Sequence, residues 1–132
     1  MLDLIAGLAW VALGSALGGA SRFFVSGLVA RAIGETFPWG TMTVNVTGSL
    51  ALGALAAWAD AGAFDPALWH LAAAGFLGSY TTVSSFSLQT LALARDGELR
   101  QAMGNVALSL VLCLTAAAIG FALAAALAGA GG

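Results

Sequence analysis

Residues Ala102 to Leu127 read AMGNVALSLVLCLTAAAIGFALAAAL, without one charged side chain. A bilayer core is crossed by roughly 20 apolar residues in a helix, so this run is long enough to span it. Working outward, three further apolar stretches meet the same criterion. They run from Leu4 to Ile33, from Thr41 to Trp58 and from Leu68 to Ala94. Arg31, Glu35 and Pro38 punctuate the first gap, Asp60, Gly62, Asp65 and Pro66 the second, and Arg95, Asp96, Gly97, Glu98 and Arg100 the third. The expected fold is one all-α domain over residues 1–132 with four membrane-spanning helices. Such short connections make consecutive helices antiparallel and put both termini on one side.

Composition agrees. The chain is 61% hydrophobic and 8% charged, with mean hydropathy +0.98, against roughly 25% charged residues in ordinary soluble domains. There is no Lys and the four Arg are scattered, which excludes a nucleic-acid surface. Asp3 is the only early charge, so the first span lacks the basic start of a cleaved signal peptide and is expected to be retained. Trp39, Trp58 and Trp69 lie at span ends, where their rings suit the headgroup zone. The single Cys113 reads as a small packing residue. His70, the only histidine, reads as satisfied or solvated, since no second His, acidic cluster or Cys pair gives it metal or catalytic company. No phosphate-binding glycine loop is present, and the expectation is that the protein is not an enzyme.

Polar residues inside the spans carry the functional signal. Gly14, Gly18 and Arg22 share one helical face, so the arginine projects from a close-packing side. It either snorkels to a headgroup or supplies positive charge to an anion vestibule. Thr41, Asn45, Gly48 and Ser49 form a polar stripe in the second span, and Asn45 either bonds a neighbouring helix or donates to an anion in a hydrated path. Asn105, Ser109 and Cys113 repeat the pattern in the fourth, where Ser109 either lines that path or bonds back to a carbonyl of its own helix. The third span crowds Gly75, Gly78, Ser79, Tyr80, Thr81, Thr82, Ser84, Ser85 and Ser87 into its middle. Such residues weaken a helix, and a break is expected near Gly78 to Thr82, the alternative being a continuous helix with tight packing. Phe86, beside it, is a packing ring or an electropositive ring edge facing an anion.

Pro38 to Ser49, PWGTMTVNVTGS, resembles the PWGTxxVNxxGS signature of the Fluc, or CrcB, fluoride channels, and Gly75 to Ser87, GFLGSYTTVSSFS, is similar to that family's GFxGxxTTFSTFS segment. The resemblance extends over nearly the whole chain. It implies passive export of fluoride from a bacterial cell as a multi-pass inner-membrane protein. It also implies an antiparallel, dual-topology dimer with two fluoride pathways and a central structural sodium ion. By matched position, the main-chain carbonyls of Gly78 and Thr81 hold the sodium. Asn45 and Phe86 line the pathway, Thr82, Ser84 and Ser109 supply hydroxyls, and Arg22 lies at the vestibule. Three residues depart from the pattern: Val83 replaces the first phenylalanine of an aromatic pair, Asn105 a tyrosine and Cys113 a glycine.

Rival readings are a small multidrug-type helical-bundle exporter and a non-conducting assembly subunit. The first wants a carboxylate within its spans for proton coupling, and all six acidic residues lie at ends or loops. The second leaves a hydroxyl-rich helix break beside Asn45 unexplained. Arg31, Arg95 and Arg100 flank the two loops on one side, which the positive-inside rule assigns to the cytoplasm. That bias leaves two assemblies, an antiparallel homodimer as the first choice and a heterodimer with an oppositely oriented paralogue.

Overall fold

The computed structural model describes residues 1–131. Helix α1 (Leu2–Ile33) ends at Gly34, whose φ of 85° lies in the left-handed region open to glycine and whose N–H reaches the Ala30 carbonyl at 2.8 Å. Helix α2 (Trp39–Asp60) starts directly after Pro38, which fits a helix entrance because it lacks an N–H. The third apolar stretch is a series of pieces. A single turn, α3 (Pro66–Trp69), is capped by the Asp65 carboxylate and leads into a wider, π-helical segment, His70–Leu77. After α4 (Gly78–Tyr80), the chain is extended at Thr81 (φ −77°, ψ 156°) and Thr82 (φ −149°, ψ 122°), and α5 (Val83–Arg95) then resumes. Helix α6 (Leu99–Ala130) completes the chain.

Three helices, α1, α2 and α6, are long and apolar enough to cross a membrane. At 1.5 Å per residue, the 32-residue α1 and α6 each extend about 48 Å, more than the hydrocarbon core. Leu13, Leu17, Leu110, Leu114 and Leu123 stand more than half exposed, a surface that lipid solvates and water does not.

Glycine sets the helix contacts, since in lipid close backbone approach replaces the hydrophobic effect as the source of association. A methyl group on Gly14 or Gly18 would overlap the carbonyl of Leu71 or Phe76, and one on Gly75 would meet the Val11 carbonyl at 2.7 Å. Gly7 faces the His70 ring farther along the same line, so α1 and the third stretch run parallel, backbone to backbone. Helices α2 and α6 cross in the same manner, Gly53 against the Ala117 carbonyl and Gly120 against that of Leu50. Thr47 reaches Tyr80 and Asn45 reaches Thr82, so α2 runs antiparallel to the third stretch. Val44, Leu77 and Tyr80 form the buried centre.

Aromatic rings gather at opposite ends of the bundle. Phe37 and Trp39 pair at 4.6 Å between centroids, while Trp58, Phe64 and Trp69 form a chain with 6.4 and 6.3 Å spacings. Those positions suit the two headgroup layers. His70 departs from its sequence reading. Its Nδ1 is buried without a hydrogen-bond partner, because the ring lies in the space that Gly7 leaves by having no side chain.

Candidate functional site

The extended residues Thr81 and Thr82 open the backbone in the middle of the third stretch, and Asn45 closes on it. Asn45 Nδ2 donates to the Thr82 carbonyl at 2.9 Å, and Thr82 N–H donates to Asn45 Oδ1 at 2.7 Å. Of the two roles open to Asn45, bonding a neighbouring segment is thus realised, and one N–H of the carboxamide remains beyond this clasp. Gly48 makes the approach feasible, since a methyl there would overlap the Thr81 side chain.

The clasp changes where backbone groups go. In an uninterrupted helix the Thr82 amide would bond the Gly78 carbonyl, and the Ser85 amide would bond that of Thr81. Here Thr82 N–H goes to Asn45, and Ser85 N–H goes to Thr82 Oγ1 at 3.2 Å. The Gly78 and Thr81 carbonyls are thereby freed of those partners. Thr82 Oγ1 also lies 3.1 Å from Ser84 Oγ, so the first turn of α5 begins in a knot of hydroxyls. Thr81 turns its own hydroxyl back to the Leu77 carbonyl at 2.9 Å.

Beside this junction lies a cleft of about 410 Å³ lined by Gly19, Arg22, Phe23, Ser26, Thr41, Thr82 and Ser85. Its lining holds a guanidinium and four hydroxyl-bearing residues and no carboxylate. Arg22 is half-buried there and faces protein on one side. The cleft ends on the start of α5, where unpaired amides give a helix N-terminus its partial positive charge. Cation, hydroxyls and helix start together favour an anion.

The remaining residues singled out in the sequence fall on α5 and α6. Phe86 is half-buried. Val83, at 77% exposure, projects from the surface, with Ser84 exposed beside it. Asn105 is only 1% exposed, its Nδ2 donating to Thr90 Oγ1 at 2.9 Å. Ser109 Oγ donates to Asn105 Oδ1 at 3.4 Å, so its hydroxyl serves a neighbouring side chain on its own helix. Sequence reasoning missed Thr90 and the 3.0 Å hydroxyl pair of Thr47 and Tyr80. The signal for Thr90 was its place one turn beyond Phe86. Among the described residues no group of three His, Cys, Asp or Glu gathers to hold a metal.

Residues 9–121 match the family model described as "CrcB-like protein, Camphor Resistance (CrcB)". The chain is 60% identical over 131 residues to the fluoride-specific ion channel FluC 2 of Rhodopseudomonas palustris, covering 97% of this chain and all of the relative. It is 55% identical over 129 residues to FluC 2 of Bradyrhizobium diazoefficiens, covering 96% and 94%. FluC of Opitutus terrae is 51% identical, covering 84% and 86%. Three apolar spanning helices and relatives named as ion channels make this a multi-pass membrane protein. With most of its length matched by the family model and near-complete alignment to such relatives, the chain belongs to the CrcB family.

Proposed function

We propose that this chain is a fluoride-selective channel of the cell inner membrane, through which cytoplasmic fluoride leaves passively and toxicity is relieved. The observation that carries the reading is the carboxylate-free, Arg22-lined cleft ending on the clasp between Asn45 and Thr82. The relatives, named as fluoride-specific ion channels, support fluoride as the permeant. Fluoride enters a cell as the neutral weak acid and is trapped as the anion, so the membrane potential alone drives its exit. The activity is transport and needs no catalytic group.

In this reading Arg22 concentrates the anion, and the remaining Asn45 N–H with the Thr82 and Ser84 hydroxyls replaces part of its water shell. The edge of Phe86 supplies a further positive surface. Val83, Asn105 and Ser109 belong to the walls of the same path and tune its width. The freed Gly78 and Thr81 carbonyls suit a hard cation, and sodium bound there would supply a fixed positive charge and a tie between subunits. The exposure of Val83 and Ser84 beside those carbonyls fits an antiparallel homodimer, in which these residues face the second subunit. A heterodimer with a paralogue is the second reading, favoured by the clustering of Arg31, Arg95 and Arg100 on one side.

Vesicles containing only this protein test the proposal. Fluoride should leave them at a rate set by the imposed potential and without a proton gradient. Efflux no faster than from empty vesicles, with the protein folded, would reject it. Efflux that required a proton gradient would instead favour the exporter.

A further inference from the structure

Helix α5 carries Phe86, yet none of its residues is buried. A helix with so little packing is placed by its few specific bonds. At its start the Asn45 and Thr82 clasp fixes position along the bundle. One turn past Phe86, Thr90 Oγ1 donates to the Phe86 carbonyl at 2.7 Å and accepts from Asn105 Nδ2 at 2.9 Å. Asn105 is enclosed, so its amide has no water to fall back on and the bond to Thr90 is costly to break. Turning α5 by one residue, about 100°, would carry Thr90 away from Asn105. Between them, the clasp sets the height of α5 and the Thr90 to Asn105 bond sets its rotation.

We infer that Thr90 is a positioning residue: held by Asn105, it fixes the rotation of α5 and hence the place of the Phe86 ring, so that anion selectivity depends on a hydroxyl outside the path. The inference rests on Phe86 lining the fluoride path. Thr90 itself touches no permeant, because its hydroxyl is occupied on both sides. It also assigns Asn105 a task on α5 more specific than forming a wall.

The test pairs a flux ratio with a readout that does not need conduction. With 4-fluorophenylalanine in place of Phe86, fluorine NMR reports the surroundings of the ring. Thr90→Val keeps the shape and removes the hydroxyl. It is expected to shift or split that resonance and to lower the fluoride-to-chloride flux ratio by about tenfold, the scale set by one stranded neutral donor. Asn105→Leu should do the same, and the double variant should add nothing further, because both ends of one bond are gone. Thr90→Ser keeps the hydroxyl and should match the parent in both readouts. An unchanged resonance and ratio in Thr90→Val, or a Thr90→Ser protein as altered as Thr90→Val, would overturn the inference. If Thr90→Val does not fold, the double variant removes both ends of the bond, leaves only the Ser109 hydroxyl to turn back to a carbonyl of its own helix, and decides the matter by the same resonance. A parent that carries no fluoride would reject the channel reading, while the resonance would still decide whether Thr90 places Phe86.

Discussion

Asn45→Asp replaces one NH2 group by an oxygen at a place where both partners are fixed. The Thr82 amide keeps an acceptor, at 2.7 Å in the parent, but the Thr82 carbonyl, 2.9 Å from the lost donor, then faces a second acceptor. A polar group stranded away from water costs roughly 1–3 kcal/mol. A carboxylate introduced at membrane depth adds about 2.5–3.5 kcal/mol. The lower sum, about 3.5 kcal/mol, already corresponds to a roughly 300-fold loss of the clasped geometry at 1.4 kcal/mol per factor of ten. The added negative charge also opposes an anion at the end of the cleft. We therefore expect fluoride efflux from reconstituted Asn45→Asp vesicles, read with a fluoride electrode, to fall at least about 100-fold. The protein should still elute as a single folded species, since the glycine contacts between helices are untouched. Efflux within about twofold of the parent, from properly folded protein, would show that the clasp does not hold the path open.

Gly18→Ala should lower the thermal unfolding midpoint in detergent by an amount matching about 1–3 kcal/mol, because the methyl group overlaps the Phe76 carbonyl, whereas Gly104→Ala, with open space around it, should be neutral or slightly stabilising. His70→Leu removes a buried nitrogen that has no partner, and the same melt should show stability kept or raised by about 1 kcal/mol; a clear loss would mean that His70 makes a bond through Nδ1 after all. Replacing sodium by a large organic cation should abolish efflux if the Gly78 and Thr81 carbonyls hold the ion, and full activity after exhaustive exchange would remove sodium from the proposal. A cysteine placed at Gly131 in a Cys113→Ser background should be labelled from both faces of intact cells in an antiparallel homodimer, and labelling from one face alone would favour the heterodimer.

The sequence carried the class of fold because lipid imposes a crude requirement: long apolar runs such as Ala102 to Leu127 leave little choice but to span. It also carried the faces on which polar residues fall, since Asn45 and Ser49, or Asn105 and Ser109, are fixed by helical spacing. Partners across the bundle were not legible. The bonds from Asn45 to Thr82 and from Asn105 to Thr90 join residues 37 and 15 positions apart, and local periodicity says nothing about which faces meet. The π-helical turn at His70–Leu77 was also hidden. Ala, Leu and Gly there suit an ordinary helix, and it is the close approach of α1 at Gly14 and Gly18 that distinguishes the segment. For the same reason His70 was misread, because its surroundings come from Gly7 on another helix.

The piecemeal build of Pro66–Arg95 bears on how the chain is made. Helices α1, α2 and α6 each have the length and apolarity to partition into lipid as they emerge during synthesis. The stretch between α2 and α6 comes as a four-residue turn, an eight-residue wide segment, a three-residue turn and a thirteen-residue helix. Its open backbone at Thr81 and Thr82 is tolerable at membrane depth only against protein, and the covering groups, Asn45 and the glycine face of α1, are synthesised before it. The order of elements along the chain thus lets the first hairpin serve as an internal chaperone, lodged in the bilayer in time to receive the one segment that the bilayer alone would refuse.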